Sequence, residues 1–470
     1  MMRSTAAAAC ALALAACDAA NATDLTRDLT VEGDALADSS GITAIGARGE
    51  TLGIHLTRGS TGAIRVTVPG ITVRSYAVER FAVTRPSTDL YGGSRGAGTY
   101  PDGLVRDDAP ATSDAYIELT IPRDAQPGAL RGEIAIGKTR IPFLVSISPA
   151  VLPEAAPRVW AYEDPREFSA DPATPSAKER ACVSEFRRRG ILLAPDVPLA
   201  WWPQRADMFA GIRDVPVSIS ADPMTAAGDV REWIARLDGT GHVPFAIPID
   251  EPRTAQRRAD VVALARAVRG AGGGERTFRL ALTDTPHAEY DNLIDQYISL
   301  DPTANTHAWR YNGAPPSAGS MVLDAAAPGP RTWGWIAHRD DVGLWYVWDA
   351  LYWHDRHNRH GAPLPGKALN LERDATSFDD GDDHGNLDGV LALPSPDGCR
   401  PTLRLAALGR GQQDRALLDL ASACHPAPTA AIVASVIPRG EAWLTDSAAW
   451  ERARRSVLSL AACARVSTSR

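Results

Sequence analysis

Two rhythms divide this chain. From Asp24 to about Ala150, apolar and polar residues alternate in short runs: Ile42–Ile45, Leu52–Leu56, Ala63–Val68, Val73–Phe81, Ala115–Ile121, Leu130–Ile136 and Ile141–Ile147. Clusters of Gly, Pro, Asp and Ser separate them, and period-two alternation at this spacing predicts a β-sandwich over 24–150. Proline-rich Val151–Pro157 reads as a linker. From Arg158 strand-like runs alternate with amphipathic stretches. Strands are expected at Val159–Tyr162, Ile191–Ala194, Val215–Ile219, Pro244–Ile249, Phe278–Thr283, Gln296–Ser299, His307–Tyr311, Thr332–Ile336 and Gly343–Trp348. Helices are expected at Ser176–Arg189, Ala227–Leu237 and Gln256–Arg269, the last with Val261, Leu264, Ala265 and Val268 on one face. This alternation over 158–425 favours a (β/α)8, TIM-like barrel over an open sheet. Pro401–Cys424 reads as a further helix, and 426–470 as a mixed or helical C-terminal extension. The fold class is thus multidomain, all-β followed by α/β.

One strand candidate ends abruptly. His242-Val-Pro-Phe-Ala-Ile-Pro-Ile runs into Asp250-Glu251-Pro252, and a helix follows. Strand, carboxylates, loop and helix is how an α/β barrel presents catalytic acids at the C-terminal rim of its strands. Adjacent acids need not ionise alike, because repulsion and unequal burial can keep one protonated near neutral pH. A general acid beside an anionic partner is what glycoside cleavage requires. The structural alternative is that the pair caps the helix at Thr254–Arg269.

Composition narrows the field. A 44% hydrophobic and 23% charged chain of 470 residues is ordinary for a globular protein of two or more domains. A net charge of -8 argues against nucleic acid as a partner. Twelve tryptophans, most between Trp160 and Trp353, suit either sugar stacking or core packing. At the N-terminus Arg3 precedes an Ala/Leu-rich run too short to span a bilayer. The run ends Leu14-Ala-Ala-Cys17, which is similar to the bacterial lipobox and implies export with a lipid on Cys17, a membrane anchor in the cell envelope. Ordinary cleavage after Ala20-Asn-Ala22, giving a periplasmic or secreted chain, is the alternative. Cys182, Cys399, Cys424 and Cys463 would then sit in an oxidising compartment. Four cysteines allow three pairings, with Cys399–Cys424 favoured because both flank one helix.

Several motifs occur together in order. Thr99-Tyr-Pro-Asp-Gly-Leu104 and Ile121-Pro-Arg-Asp-Ala-Gln-Pro-Gly128 are followed by Asp250-Glu251-Pro252, then Gly343-Leu-Trp-Tyr-Val-Trp348. Asp388-Gly-Val-Leu-Ala-Leu-Pro394 and Arg400-Pro-Thr-Leu-Arg-Leu405 close the series. The set resembles bacterial proteins with domain of unknown function 4091 and their relatives in glycoside hydrolase family 123, over roughly Arg48 to Leu420. Ala392 stands where an aromatic is common, and Gly409-Arg-Gly-Gln-Gln-Asp414 is a degraded form of the family's tail motif. The resemblance implies cleavage of terminal β-linked N-acetylhexosamine, N-acetylgalactosamine-like, by a substrate-assisted retaining route. Asp250 would hold the acetamide nitrogen. Glu251 would protonate the leaving oxygen and then serve as base toward water. No cofactor is implied.

Other candidates are weighed from their residue types. Tyr311, in Trp309-Arg-Tyr-Asn312, can donate a hydroxyl to the acetamide carbonyl, or pack at the rim. Asp284 ends another strand and can bind sugar hydroxyls or cap a loop. Trp309, Trp333 and Trp345, with Trp335 and Trp348, are candidates for a sugar platform, Trp333 and Trp335 sharing one face if they lie on a strand. A glycosidase without acetamide specificity would need a carboxylate across the cleft, for which Asp284 and Asp324 are the candidates. His354, His357 and His360 recur every three residues in a polar segment that does not converge on a metal. Asp379–Asp388 lacks a full calcium loop, and no metal site is expected. Gly272–Gly274 follows a helix and stops it instead of cradling phosphate. The rival from another class is a non-catalytic, surface glycan-binding lipoprotein with a barrel fold.

Overall fold

The computed structural model describes residues 29–59, 62–300, 309–313, 315, 317–355, 367–438 and 442–463. Cys17 and its flanks, with His357 and His360, lie outside them. The chain divides into two compact units. The first comprises Met1–Arg80, Pro101–Pro153 and Gln413–Arg470, and the second Phe81–Tyr100 and Glu154–Gln412. Residues 426–470, expected as an extension, therefore group with the all-β unit, and Phe81–Tyr100 group with the α/β unit.

Among the described residues the helices of eight or more residues are α1 (Ala177–Arg187), α2 (Pro223–Leu237), α3 (Ala255–Gly270), α4 (Thr332–Arg339), α5 (Leu403–Cys424), α6 (Pro426–Val436) and α7 (Ser447–Ala461). The first unit holds two five-stranded sheets. One runs β1 (Leu29–Gly33), β4 (Thr51–Arg58), β8 (Asp114–Thr120), β6 (Thr72–Val83), β7 (Gly98–Arg106). The other runs β2 (Ala35–Asp38), β3 (Gly41–Arg48), β10 (Thr139–Val151), β9 (Gly128–Ile136), β5 (Ile64–Thr67). Alternation does what it predicts: Leu52, Ile54 and Leu56 point into one core with Ile42, Ile117 and Val145. Helix α7 adds a buried charge network to this unit. Arg454 pairs with Glu451 at 2.8 Å, Glu50 at 3.0 Å and Asp34 at 3.5 Å. Backbone N–H groups of Gly53 and Ala47 donate to Asp34 and Glu50, and Arg455 pairs with Glu451, so the three buried acids are all partnered.

The second unit is built on eight parallel strands: β11 (Val159–Tyr162), β12 (Leu192–Ala194), β13 (Asp214–Pro216), β14 (Val243–Ala246), β15 (Arg279–Leu282), β16 (Gln296–Ser299), β17 (Trp309–Tyr311) and β18 (Trp345–Val347). They pair in the order β12-β11-β18-β17-β16-β15-β14-β13, and a parallel bridge between Val197 and Val217 spans the remaining gap. The regular (β/α)8 expectation is met only coarsely. Helices α1, α2, α3 and α4 fill four connections, while other described connections carry short helical turns or none. Ser176, Asp222 and Thr254 cap α1, α2 and α3 by accepting backbone N–H bonds, each worth about 1 kcal/mol.

Aromatic side chains fill the centre of the strand ring. Phe245 meets Trp160 and Trp309 edge-on, at 5.1 Å and 4.8 Å, and Trp160 stacks on Tyr346 at 4.4 Å. Tyr346 in turn stacks on Tyr311 at 5.4 Å. Inward residues two apart on a strand share a face, so Trp309 packs the centre and Tyr311 stands one layer nearer the C-terminal rim.

Two expectations are corrected here. Thr332–Ile336 is the start of helix α4, not a strand. Its residues are buried on every side, so apolar periodicity vanishes and β-branched and aromatic composition misleads. Gly334 sits where a Cβ would fall 1.7 Å from the Gly411 carbonyl oxygen, a contact only glycine allows. The disulfides join Cys182 to Cys399 and Cys424 to Cys463, not Cys399 to Cys424. A 22-residue helix, α5, about 33 Å long, begins just after Cys399 and ends at Cys424, so flanking one helix is no reason for the two to pair.

Candidate active site

The adjacent acids stand just past the C-terminal end of β14. Thr254 Oγ1 accepts the Arg257 N–H and caps α3, so neither acid performs that duty. Instead a single hydroxyl organises both. Thr283, next after β15, donates to Asp250 at 2.5 Å and accepts the Glu251 backbone N–H at 2.9 Å. Glu251 adopts φ +39, a left-handed conformation that a non-glycine residue holds at a cost of about 1–2 kcal/mol. Such strain gathers at functional sites. Asp250 is exposed, and Glu251 is half-buried and ion-paired with the exposed Arg253.

A pocket of about 320 Å3 opens here, lined among others by Glu251, Arg253, Thr283, Asp284, Ser299 and Tyr311. Burial raises the Tyr311 phenol far above its ordinary range, and the charges of Asp250, Glu251 and Asp388 add to it. Tyr311 therefore remains a hydroxyl donor at any working pH. Asp284 is engaged by the Tyr290 hydroxyl at 2.5 Å and the Thr285 N–H at 2.8 Å, with His287 at 3.3 Å. It organises its loop while lining the pocket.

Residues not named among the sequence-based site candidates complete the constellation, although Tyr346 and Asp388 lie within motifs quoted above. Asp196 follows β12 through Pro195. Burial, then the charge of Asp250, pushes its carboxyl up to about 7. Asp388 is buried and receives the Tyr91 hydroxyl and the Trp348 indole; burial lifts it to about 6 despite these donors. Tyr346 is raised by burial and then by Asp196, Tyr311 and Asp250, which places it among the same groups. A signal for Asp196 was present: Ala-Pro-Asp196 ends a strand much as Ile-Pro-Ile-Asp250 does. None pointed to Tyr91, which comes from the Phe81–Tyr100 excursion between β6 and β7. Asp324 anchors that excursion. It is fully buried and accepts from Ser87 N, Ser87 Oγ and Ser94 Oγ, so it is no carboxylate facing a cleft.

The tryptophan platform is also corrected. Trp333 and Trp345 stack on each other at 4.8 Å and are buried, as is Trp335. Their indoles donate to the carbonyls of Gly319 and Trp333. Trp309 belongs to the barrel centre. Trp348 is the candidate that remains partly open, held by Asp388 and packed on Tyr352 and Phe378. Among the described residues no group of three or more His, Cys, Asp or Glu could hold a metal ion. His354 is committed to Glu167 at 2.6 Å. No described helix is long and apolar enough to cross a membrane.

No protein-family model matches the chain, and no curated protein does. Among solved structures it is similar to a family 123 glycoside hydrolase from Clostridium perfringens described for glycolipid glycan hydrolysis. The TM-score is 0.57 at 11% identity, covering 89% of this chain and 92% of that one. A family 2 glycosyl hydrolase from Bacteroides cellulosilyticus has a TM-score of 0.29 at 9% identity, covering 73% of this chain and 48% of that one. A β-glucuronidase from Ruminococcus gnavus has 0.24 at 12%, covering 68% and 52%. The first likeness is one of fold across nearly the whole of both chains; the other two are too slight to carry an argument.

Proposed function

We propose that this protein is a glycoside hydrolase that releases a terminal β-linked N-acetylhexosamine, N-acetylgalactosamine-like, by substrate-assisted catalysis with retention. The observation that carries this reading is the shared fixing of Asp250 and Glu251 by Thr283 beside a protonated Tyr311. Asp250 accepts the acetamide N–H and sharpens the acetamide oxygen as the nucleophile. Tyr311 donates to that oxygen as charge develops. Glu251, released from Arg253 and having taken up a proton from solvent, gives that proton to the leaving glycosidic oxygen, then as carboxylate takes a proton from the water that opens the oxazolinium-like intermediate, which restores its acid form. No enzyme nucleophile across the ring is needed, which suits two acids side by side. The similar Clostridium perfringens fold makes glycolipid glycans the first natural substrates to try.

The test is turnover of 4-nitrophenyl β-glycosides of N-acetylgalactosamine, N-acetylglucosamine and galactose, with Glu251→Gln alongside. Release from an N-acetyl sugar alone, lost in the variant, supports the reading. Equal release of galactose overturns the acetamide route. The Glu251–Arg253 ion pair favours a second reading, a glycan-binding protein without turnover, for which sugar binding would survive Glu251→Gln and no glycoside would be cleaved.

We also propose export with a lipid on Cys17. The two disulfides suit an oxidising compartment. Loss of membrane fractionation in Cys17→Ala tests the anchor.

A further inference from the structure

The ion pair at the candidate acid belongs to one tight turn. Glu251 takes φ +39 ahead of buried Pro252, and the Arg253 N–H donates to the Glu251 carbonyl at 2.8 Å. The Arg253 guanidinium then returns to the Glu251 carboxylate. The backbone of the turn is thus fixed, while the Arg253 side chain stands 83% exposed with Glu251 as its partner among the described residues. Exposed ion pairs contribute little to stability, so this one is readily exchanged for another. Both side chains line the pocket of about 320 Å3, where exposed Leu300 adds an apolar wall. The other charged groups of that lining are engaged: Asp284 by Tyr290, Thr285 and His287, and Arg258 by Glu289. Asp250 next to them accepts from Thr283. To be protonated, a leaving oxygen must come within about 3 Å of the Glu251 carboxyl. That carboxyl is in hydrogen-bond contact with Arg253, so the leaving group lies beside the guanidinium.

We propose that Arg253 is a specificity-determining residue of this site, binding a carboxylate or sulfate carried by the leaving group of the substrate. The inference rests on the glycosidase reading and adds to it the class of leaving group. The substrate's anion takes the place of the Glu251 carboxylate on the guanidinium, whose planar fork suits either group through two N–H bonds. Glu251 is thereby released to take up the proton it must deliver. Conversely, a protonated Glu251 leaves Arg253 without a counter-charge, which the substrate's anion supplies. Each event favours the other, a coupling that a neutral leaving group lacks.

The experiment uses the full chain and aryl β-glycosides of N-acetylgalactosamine and N-acetylglucosamine, as the 3-carboxyphenyl and 4-carboxyphenyl compounds and their methyl esters. The esters are the better leaving groups, so a preference for the carboxylates cannot come from leaving-group acidity. At about pH 6, where the free carboxylates are ionised, kcat and KM are measured for the wild type, Arg253→Lys, Arg253→Gln and Arg253→Glu. The wild type is expected to favour at least one carboxylate over its ester by about tenfold in kcat/KM, mostly through KM, and to lose that preference in about 1 M salt. Arg253→Gln is expected to abolish the preference, Arg253→Glu to invert it, and Arg253→Lys to restore part of it. Esters cleaved as well as both carboxylates by the wild type, or a preference that survives Arg253→Gln, would overturn the proposal and leave the glycosidase reading standing. Cleavage of none of these N-acetylhexosaminides by the wild type would overturn that reading and the role of Arg253 with it.

Discussion

Each unit gathers acids, and the two do so in opposite ways. In the all-β unit Asp34, Glu50 and Glu451 are fully buried and each meets Arg454, with backbone N–H groups taking remaining lone pairs. Every charge there is answered by one of opposite sign, and nothing is left to react. In the α/β unit Asp196, Asp250, Glu251 and Asp388 answer mainly to hydroxyls, an indole and each other; the charge of Arg404 also bears on Asp388, and the ion pair of Glu251 with Arg253 is at the surface. Acids that serve stability are neutralised by fixed cations. On the glycosidase reading proposed above, the acids of the site are kept short of them, so that a ligand supplies the missing partner.

This contrast can be broken by substitution. Glu251→Gln should lower kcat by about 10²–10⁴, some 3–5 kcal/mol of barrier, with an unchanged melting curve; a comparable fall in stability would place Glu251 with the structural acids. Arg454→Ala should do the reverse. It strands three buried carboxylates and should cost about 3–5 kcal/mol in denaturant unfolding, leaving KM on any accepted substrate unaltered. Trp348→Ala removes a partly open aromatic and should raise KM about tenfold, with a smaller change in kcat. The smallest effect sharpens the comparison most. Asp196 binds its proton to about pH 7 when folded but only to about pH 4 when unfolded, so its contribution to stability is whole below pH 4 and is lost as pH rises toward 7. Asp196→Asn should therefore melt about 3 °C above wild type at pH 8 and level with it near pH 4 in scanning calorimetry.

How much of this was legible depended on whether the chemistry was local. Eight of the nine expected α/β strands have counterparts within a few residues, because buried parallel strands are short apolar runs bounded by turns. Asp250 and Glu251 were legible for the same reason: a strand end followed by acids is a local pattern. Thr332–Ile336 failed because a helix buried all round has no apolar face to read. Trp333 and Trp345 failed with it, since which face of an element meets solvent is decided by tertiary packing. The edge strands β1, β2 and β7 carry weaker alternation and were not anticipated. The Cys182–Cys399 disulfide and Tyr91 depend on contacts hundreds of residues apart, and Cys424–Cys463 on one 39 residues apart, for all of which one sequence holds no local signature.

The excursion between β6 and β7 bears on how this protein can be taken apart. A fragment beginning at Arg158, the natural cut by sequence, would discard Ser87, Ser94 and Tyr91. Asp324 would lose three donors in a fully buried position, and Asp388 would lose its phenol. The sandwich and the α/β unit are therefore not interchangeable cassettes. A chimera that exchanges one must carry Phe81–Tyr100 with the other, and lineages that shuffle these modules at the linker alone would be expected to lose the site before they lose the fold.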